Sequence, residues 1–498
     1  MIHDTASMIS APSSDLSSRT ARRGFFAILI VAALARAFAL PLYGVHHADE
    51  SFQYLEQAHR LVFGYGLVPW EYRHGMRTWL VPLLLAGPMK IGALIDPTGP
   101  LPILFARGFA AILVFAAVPA AWAIGARLSR MHALAAMAVI GLWYESVYFS
   151  VHVLTEVLAA AAFLGGAALM TGAGGRWRSV GAGALLALTI VLRFHYGPAV
   201  GVFVVMTLGR DWRRWGWAMA GGCAVFAASA ALDIAGGAMP FGWIVENFRQ
   251  NVVHDRAAQF GTDGALGYIT QLWIQWSVAA IPILLFAAIG ARRYPALAAA
   301  AIVNLLLHMA IGHKEYRFIY LSVEIALILA AIGSVDNARR CLPRVDAARL
   351  TALVIAAWVA VSLGLGFTGR SAPDWRANAG GFELAHRAGR DPALCGIAMR
   401  DMEYWQGGGY AFLHRDVPIY FPIRKESDGR VSFAIDSAPA WNDLIAPPSS
   451  PVPRGYARIA CRPTRAGGLC LYRRAGGCVE DQASRTVRLQ SILDRYDF

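Results

Sequence analysis

Residues 24–50 read GFFAILIVAALARAFALPLYGVHHADE. The stretch 24–44 is an apolar run of 21 residues, and about 20 suffice to cross a bilayer as a helix. A cleaved signal peptide would carry a shorter apolar region and a small-residue cleavage site. Arg19, Arg22 and Arg23 stand in front of the run, at the end of a polar, Ser-rich segment 1–23. These features predict a retained first span with a cytoplasmic N-terminal tail. His46-His47-Ala48-Asp49-Glu50 follows it directly, so a cluster of titratable groups starts where the span leaves the membrane.

The rest of the chain repeats this pattern. Of 498 residues, 57% are hydrophobic and only 15% charged, against about 25% charged in a soluble protein. That excludes an ordinary cytosolic enzyme, a disordered tail and a soluble nucleic-acid binder. The formal net charge of +13 is therefore read as topology. Further apolar runs lie near 79–97, 103–125, 132–149, 153–172, 178–193, 197–209, 215–236, 272–290, 295–311, 317–334 and 350–368. Basic clusters fall at Arg127/Arg130, Arg176/Arg178, Arg210/Arg213/Arg214, Arg292/Arg293 and Arg339/Arg340/Arg344. All five face the cytoplasm only if 79–97 lies in the interface or re-enters, as Pro82 and Gly87-Pro88 would permit. The expectation is an all-α polytopic membrane protein with about eleven transmembrane helices plus interfacial helices. Its membrane domain covers 24–369, with outer segments at 45–102 and 237–271.

The stretch 370–498 has no spanning run. Short alternating segments such as Val417–Pro422 and 431–435 predict a small soluble α+β or mostly β domain on the outer side. It holds Cys395, Cys461, Cys470 and Cys478, an even number that predicts disulfides in an exported domain. Their spacing leaves three pairings open. Cys223, inside an apolar run, is read as packing. There is no metal-ligand cysteine spacing and no internal repeat.

Titratable groups concentrate at the outer membrane face. Adjacent carboxylates at Asp49-Glu50 suit a general base or a cation site; the alternative is helix capping ahead of Phe52, Leu55, Ala58 and Leu61. Glu56 and His59 share one face of that helix. Trp70-Glu71-Tyr72-Arg73 and Arg77 place aromatics beside guanidinium groups, either as an interfacial belt or as a phosphate clamp. His313-Lys314-Glu315-Tyr316-Arg317 puts cations in a short outer turn against the positive-inside bias, where they could offset a phosphate leaving group. The loop 237–271 carries Asn247 among many polar residues. Arg36, Arg107 and Arg193 interrupt apolar runs, and an intramembrane arginine is a functional candidate.

Taken in order, these motifs resemble a known family. Asp49-Glu50, Glu56-x-x-His59, Gly64-x-Gly66, Trp70-Glu71-Tyr72 and Arg77-Thr78 resemble the first outer loop of the Alg9/Alg12/PIG-B type mannosyltransferases of glycosyltransferase family 22. Asn247-Phe248 with Phe260-Gly261-Thr262 is similar to that family's NF…YGT segment, and His313–Phe318 to its HKEHRF loop. Arg193 falls at its late-span RPT-like stretch. The chain departs from the pattern at Tyr316, at Asp263–Tyr268 in place of HPWHWY, and at Arg193-Phe194-His195. The resemblance covers roughly 25–335.

The resemblance implies a GT-C glycosyltransferase fold and a hexosyltransferase, a mannosyltransferase in the family's own case. It implies a polyprenyl-phosphate sugar donor, a glycan or glycolipid acceptor, inversion at the anomeric carbon, and a site on the extracytoplasmic face. Asp49 then falls at the catalytic base, with Glu50 orienting the acceptor or sharing the proton. His313, Lys314, Arg317, Arg193 and Arg77 would bind the donor phosphate. Glu56, His59, Trp70, Glu71 and Asn247 would position the loop or the acceptor. No cofactor is needed; a divalent metal at Asp49-Glu50 is conceivable but not favoured. Membrane lipid is a partner and nucleic acid is not. The Ala/Arg/Gly-rich composition and the lack of an endoplasmic-reticulum retrieval tail point to a bacterial inner membrane. The rival expectations are a polyprenyl-linked glycan flippase, which would place acids within the membrane, and a ligase or polymerase using a diphosphate-linked donor.

Overall fold

The computed structural model describes residues 15–42, 44–368, 372–425, 431–433, 438–464 and 467–496. The first helix runs Ser18–Ala39, and the Ser17 side chain caps it by accepting from the Thr20 N–H. Arg19, Arg22 and Arg23 therefore lie on its exposed opening turns rather than in a tail. Capping by Ser17 satisfies an orphan N–H and moves the start ahead of the apolar run.

Among the described residues, six helices are long and apolar enough to cross a membrane: Ser18–Leu42, Leu101–Gly125, Trp212–Ala235, Gly267–Ala291, Tyr316–Cys341 and Ala347–Phe367. The other expected spans fold as a pair bent by 54°, Arg130–Leu142 with Tyr144–Ser150, and as shorter helices. These are Thr155–Met170, Arg176–Leu192, Phe194–Leu208 and Pro295–Met309. Thr155–Met170 is short but almost wholly buried in protein, so neighbouring protein rather than lipid meets its polar ends. The run 79–97 folds as Leu80–Ile95, a 16-residue helix containing Pro88. It packs on the next helix through Gly92, where a Cβ would stand 2.5 Å from the Leu101 carbonyl oxygen.

Two of the three intramembrane arginines act on the backbone. Where the bent pair breaks, helix carbonyls lose their intrahelical partners. Buried Arg36 donates from Nη1 to the Gly141 carbonyl at 2.7 Å. Arg107 donates from Nε to the Val151 carbonyl at 2.9 Å. Acids are also buried within the helical domain, at Glu145, Glu156 and Glu324, so the carboxylates are not confined to the loops where the sequence showed them clustering. Each is matched. Both the Trp143 and the Trp276 indole N–H groups donate to Glu145 at 2.8 Å, Tyr320 donates to Glu324 at 2.6 Å, and Glu156 pairs with arginines. Cys223 is exposed on its helix rather than packed inside.

The C-terminal part is α+β. Five strands, β1 (Ile397–Met399), β2 (Ile419–Tyr420), β5 (Asp443–Ala446), β6 (Tyr456–Arg462) and β7 (Leu469–Arg474), form a sheet ordered β2-β1-β5-β7-β6. A separate hairpin pairs β3 (Ile423–Lys425) with β4 (Val431–Phe433). β1 runs parallel to β2 and β5, and the remaining pairs are antiparallel. The disulfides are Cys395–Cys478 and Cys461–Cys470; the second joins directly opposed residues of β6 and β7.

This domain shares a core with the first outer loop. Phe52 and Leu67 pack with Leu384, Ile397, Leu413 and Leu471. Val68 N–H donates to Gln490 at 2.8 Å and Arg73 donates to the Leu493 carbonyl at 2.6 Å. The C-terminal domain is thereby fixed over one mouth of the helical domain, against the loop 45–102.

Candidate active site

In the segment 45–102 Asp49 stands just ahead of a helix that starts in wide π turns at Glu50–Leu55 before tightening to Glu56–Phe63. Such turns fan side chains out and recur at functional sites. The Asp49 side chain caps nothing. It faces a cavity of about 680 Å³ between the helical domain, loop 237–271 and the soluble domain. The adjacent Glu50 points the other way. It is fully buried, accepts from His152 Nδ1 at 2.8 Å and from the Val153 N–H at 3.0 Å, and does not line the cavity. One residue of helix rotation separates the two carboxylates. Glu50 therefore pins the loop, where the sequence suggested contact with acceptor.

Arg317 organises the cavity floor. Its Nη2 donates to Asp49 Oδ2 at 2.7 Å, its Nε to Glu315 at 2.6 Å, and its Nη1 stands 3.6 Å from Glu156. Arg193 Nη1 lies 3.2 Å from the same Glu156. His47 is 3.3 Å from Asp49 and 3.5 Å from Glu315. Burial pushes the Asp49 carboxyl up, but the Arg317 guanidinium and then His47 outweigh it and hold it well below the usual carboxylate range. Asp49 is thus ionised at neutral pH. His313 bridges Glu315 (3.0 Å) and the Gly261 carbonyl (2.9 Å), and Lys314 reaches the Asp263 carbonyl at 3.2 Å. The His313–Arg317 turn and loop 237–271 are joined by these bonds.

Two arginine donors in the cavity wall have no protein partner. Nε of Arg77 and of Arg193 are buried without a hydrogen bond, and both side chains line the cavity with His195 and His308; His308 Nδ1 donates to the Asn304 carbonyl at 2.8 Å, which leaves its Nε2 as an acceptor. Buried unpaired donors cost free energy unless a ligand satisfies them, so this wall suits an anion. Glu71 lines the same cavity, within electrostatic reach of Arg77. Gln53 donates to Glu71 Oε1 at 2.7 Å, while Oε2 is buried with no partner. Burial pushes this carboxyl up to about 7, against the pull of Arg77.

Trp70 and Asn247 also line the cavity; Trp70 stacks on Phe260 with centroids 6.3 Å apart, and Asn247 accepts from Asn251 at 3.1 Å. Glu56 and His59 do not line it. Glu56 accepts from the backbone N–H groups of Leu67 (2.7 Å), Tyr410 (3.2 Å) and Ala411 (2.7 Å). His59 bonds the Tyr65 carbonyl at 3.1 Å and stacks on Phe63. Both hold the loop against the soluble domain. Sequence reasoning missed Glu156, His195 and His308, although Glu156 opening an apolar run was a usable signal. It also missed Tyr404 and Trp405, which reach the cavity from the soluble domain and carry no local signal. Among the described residues, no three His, Cys, Asp or Glu side chains are grouped to hold a metal ion.

Residues 25–373 match the Alg9-like mannosyltransferase family. GPI mannosyltransferase 3 of Yarrowia lipolytica is 27% identical over 314 residues, 61% of each chain. GPI mannosyltransferase 3 of Drosophila melanogaster is 44% identical over 71 residues, 14% of this chain and 12% of that protein. The matched stretch thus spans under two thirds of either relative. Among solved structures, ArnT from Cupriavidus metallidurans bound to undecaprenyl phosphate superposes with TM-score 0.58 at 12% identity, covering 92% of this chain and 99% of that one. The shared fold is the GT-C fold.

Proposed function

Because this chain belongs to the Alg9-like mannosyltransferase family, we propose that it is a membrane mannosyltransferase taking its sugar from a polyprenyl-phosphate-linked donor. The chain is an integral membrane protein of GT-C fold. The acceptor is a hydroxyl of a glycan or glycolipid, and the reaction runs on the extracytoplasmic face with inversion; a bacterial inner membrane is the setting the composition favours. The observation that carries this reading is one cavity holding an ionised carboxylate, Asp49, on Arg317, beside buried donors of Arg77 and Arg193 that lack any partner.

The donor phosphate binds against Arg77, Arg193 and Arg317, with Lys314 and His313 ordering the turn that carries Arg317. As the phosphate takes up Arg317, Asp49 loses part of its ion pair and becomes more basic. Asp49 then removes the proton from the acceptor hydroxyl. The acceptor oxygen forms its bond to the anomeric carbon as the bond from that carbon to the phosphate oxygen breaks, and the electron pair leaves on polyprenyl phosphate. Attack from the face opposite the leaving group inverts the centre, as when a carboxylate base activates water in an inverting glycosidase. The cations offset the charge that develops on the phosphate. No step requires a metal.

The test is transfer of radiolabel, in membranes containing the full chain, from polyprenyl-phosphate mannose and separately from polyprenyl-phosphate glucose. Label entering a glycan or lipid with mannose preferred supports the proposal. No transfer from either donor by folded protein overturns it in favour of a diphosphate-linked donor or of transport.

A further inference from the structure

Tyr404 and Trp405 lie outside the stretch that matches the family, yet they line the same cavity as Asp49. Their turn is rigid. Glu403 caps it, and the Gln406 side chain reaches back to the Glu403 N–H at 3.2 Å while donating to Asn378 at 3.2 Å. Gly408 and Gly409 end it with φ of 73° and 64°, and a Cβ on Gly409 would fall 2.8 Å from the Glu56 carboxylate. Only glycine allows both that backbone and that approach. The Tyr404 ring packs against Phe52 at a tilt of 36° with centroids 5.5 Å apart. Among the described residues, the half-buried Trp405 indole N–H has no hydrogen-bond partner. Facing this turn from the first loop are Trp70 and Glu71, the latter with one buried, unpartnered carboxylate oxygen.

We infer that Tyr404 and Trp405 of the soluble domain, together with Trp70 and Glu71 of the first loop, form the subsite for the acceptor sugar. This rests on the transferase reading above. A hexose presents a C–H face and a hydroxyl edge. Aromatic faces carry negative charge density that attracts the polarised C–H groups, and a few fixed polar groups among aromatics give orientation. Glu71 Oε2 accepts a bond from one acceptor hydroxyl and so loses its desolvation penalty only when the subsite is filled. The phosphate-binding cations come from the helical domain and the loops at its mouth, whereas this wall comes partly from the soluble domain, on the side from which a water-soluble glycan head arrives. The soluble domain then sets acceptor choice, and a different terminal domain on the same helical core would select a different acceptor.

The experiment uses the full chain in detergent and the methyl glycosides of mannose, glucose, galactose and N-acetylglucosamine as probes. Saturation-transfer NMR without donor reads binding, and label transfer from polyprenyl-phosphate mannose reads acceptor KM and kcat. At least one glycoside receives saturation with wild type; Trp405→Ala abolishes it and raises that acceptor's KM at least tenfold with the donor KM unchanged, and Trp405→Phe restores both. Gel filtration of each variant separates loss of fold from loss of contact. A wild type that saturates no glycoside, or a folded Trp405→Ala with wild-type acceptor KM, overturns the subsite alone. A chain that never consumes donor overturns the transferase reading instead, and the NMR comparison then still decides whether the wall binds sugar.

Discussion

Arg317 Nη2 and Asp49 Oδ2 lie 2.7 Å apart across 268 residues of chain. The pair joins the first outer loop to the turn before the helix Tyr320–Cys341, and it sets the charge state of the proposed base. A carboxylate so paired is ionised but weakly basic. A phosphate entering the cavity competes for the same guanidinium. In the proposed mechanism donor binding and activation of Asp49 are therefore one event, which delays proton removal until the sugar is in place.

Arg317→Lys tests the fork geometry. The guanidinium is 3% exposed and serves Asp49, Glu315 and Glu156 together; an ammonium cannot match those directions. Transfer should fall at least tenfold with donor KM raised, and the melting temperature should drop, since a weakened buried pair costs on the order of 3 kcal/mol. Steady-state kinetics and a thermal melt read both.

Glu56→Gln tests the clamp between loop and soluble domain. The substitution turns a carboxylate oxygen that accepts from the Ala411 N–H into a donor facing a donor, a cost of about 1–3 kcal/mol. Hydrogen exchange should quicken at 65–69 and 408–414 while the membrane helices stay protected.

Glu71→Gln should stabilise the protein in a pH-dependent way. The folded carboxyl holds its proton up to about 7, against an ordinary value of 4.5. The folded state therefore binds more protons between these values, and stability falls as pH rises through that window. The variant should melt higher than wild type at pH 8, by on the order of 2 kcal/mol, and nearly level with it at pH 4.5. It should also lose acceptor affinity.

The two disulfides should differ in weight. Cys395–Cys478 closes 83 residues and Cys461–Cys470 only 9. Loop-closure entropy gives about 4–5 kcal/mol for the first and about 2–3 kcal/mol for the second. Thermal melts of the two double Cys→Ser variants should rank accordingly.

The apolar runs were legible because spanning helices must be continuously apolar, and the loop motifs were legible because their spacing is local. Asp49 and Arg317 were both visible as chemistry, but their contact was not, since it joins distant loops. Glu50 and Asp49 are neighbours in sequence and differ in role through helix rotation alone. Arg36 looked functional because an arginine in a span demands a partner, and that partner is the carbonyl ladder broken after Leu142. Tyr404 and Trp405 stood in no motif; only the docking of the soluble domain on Glu56, Val68 and Arg73 brings them to the cavity.

The most direct measurement is turnover of polyprenyl-phosphate mannose by purified Asp49→Asn beside wild type, with donor affinity measured separately by equilibrium binding. The proposed mechanism predicts kcat reduced by about 10²–10⁴ with donor affinity equal or tighter, because the charge at position 49 no longer competes with the phosphate for Arg317, which keeps Glu315 and Glu156. Wild-type turnover by the folded variant would contradict it.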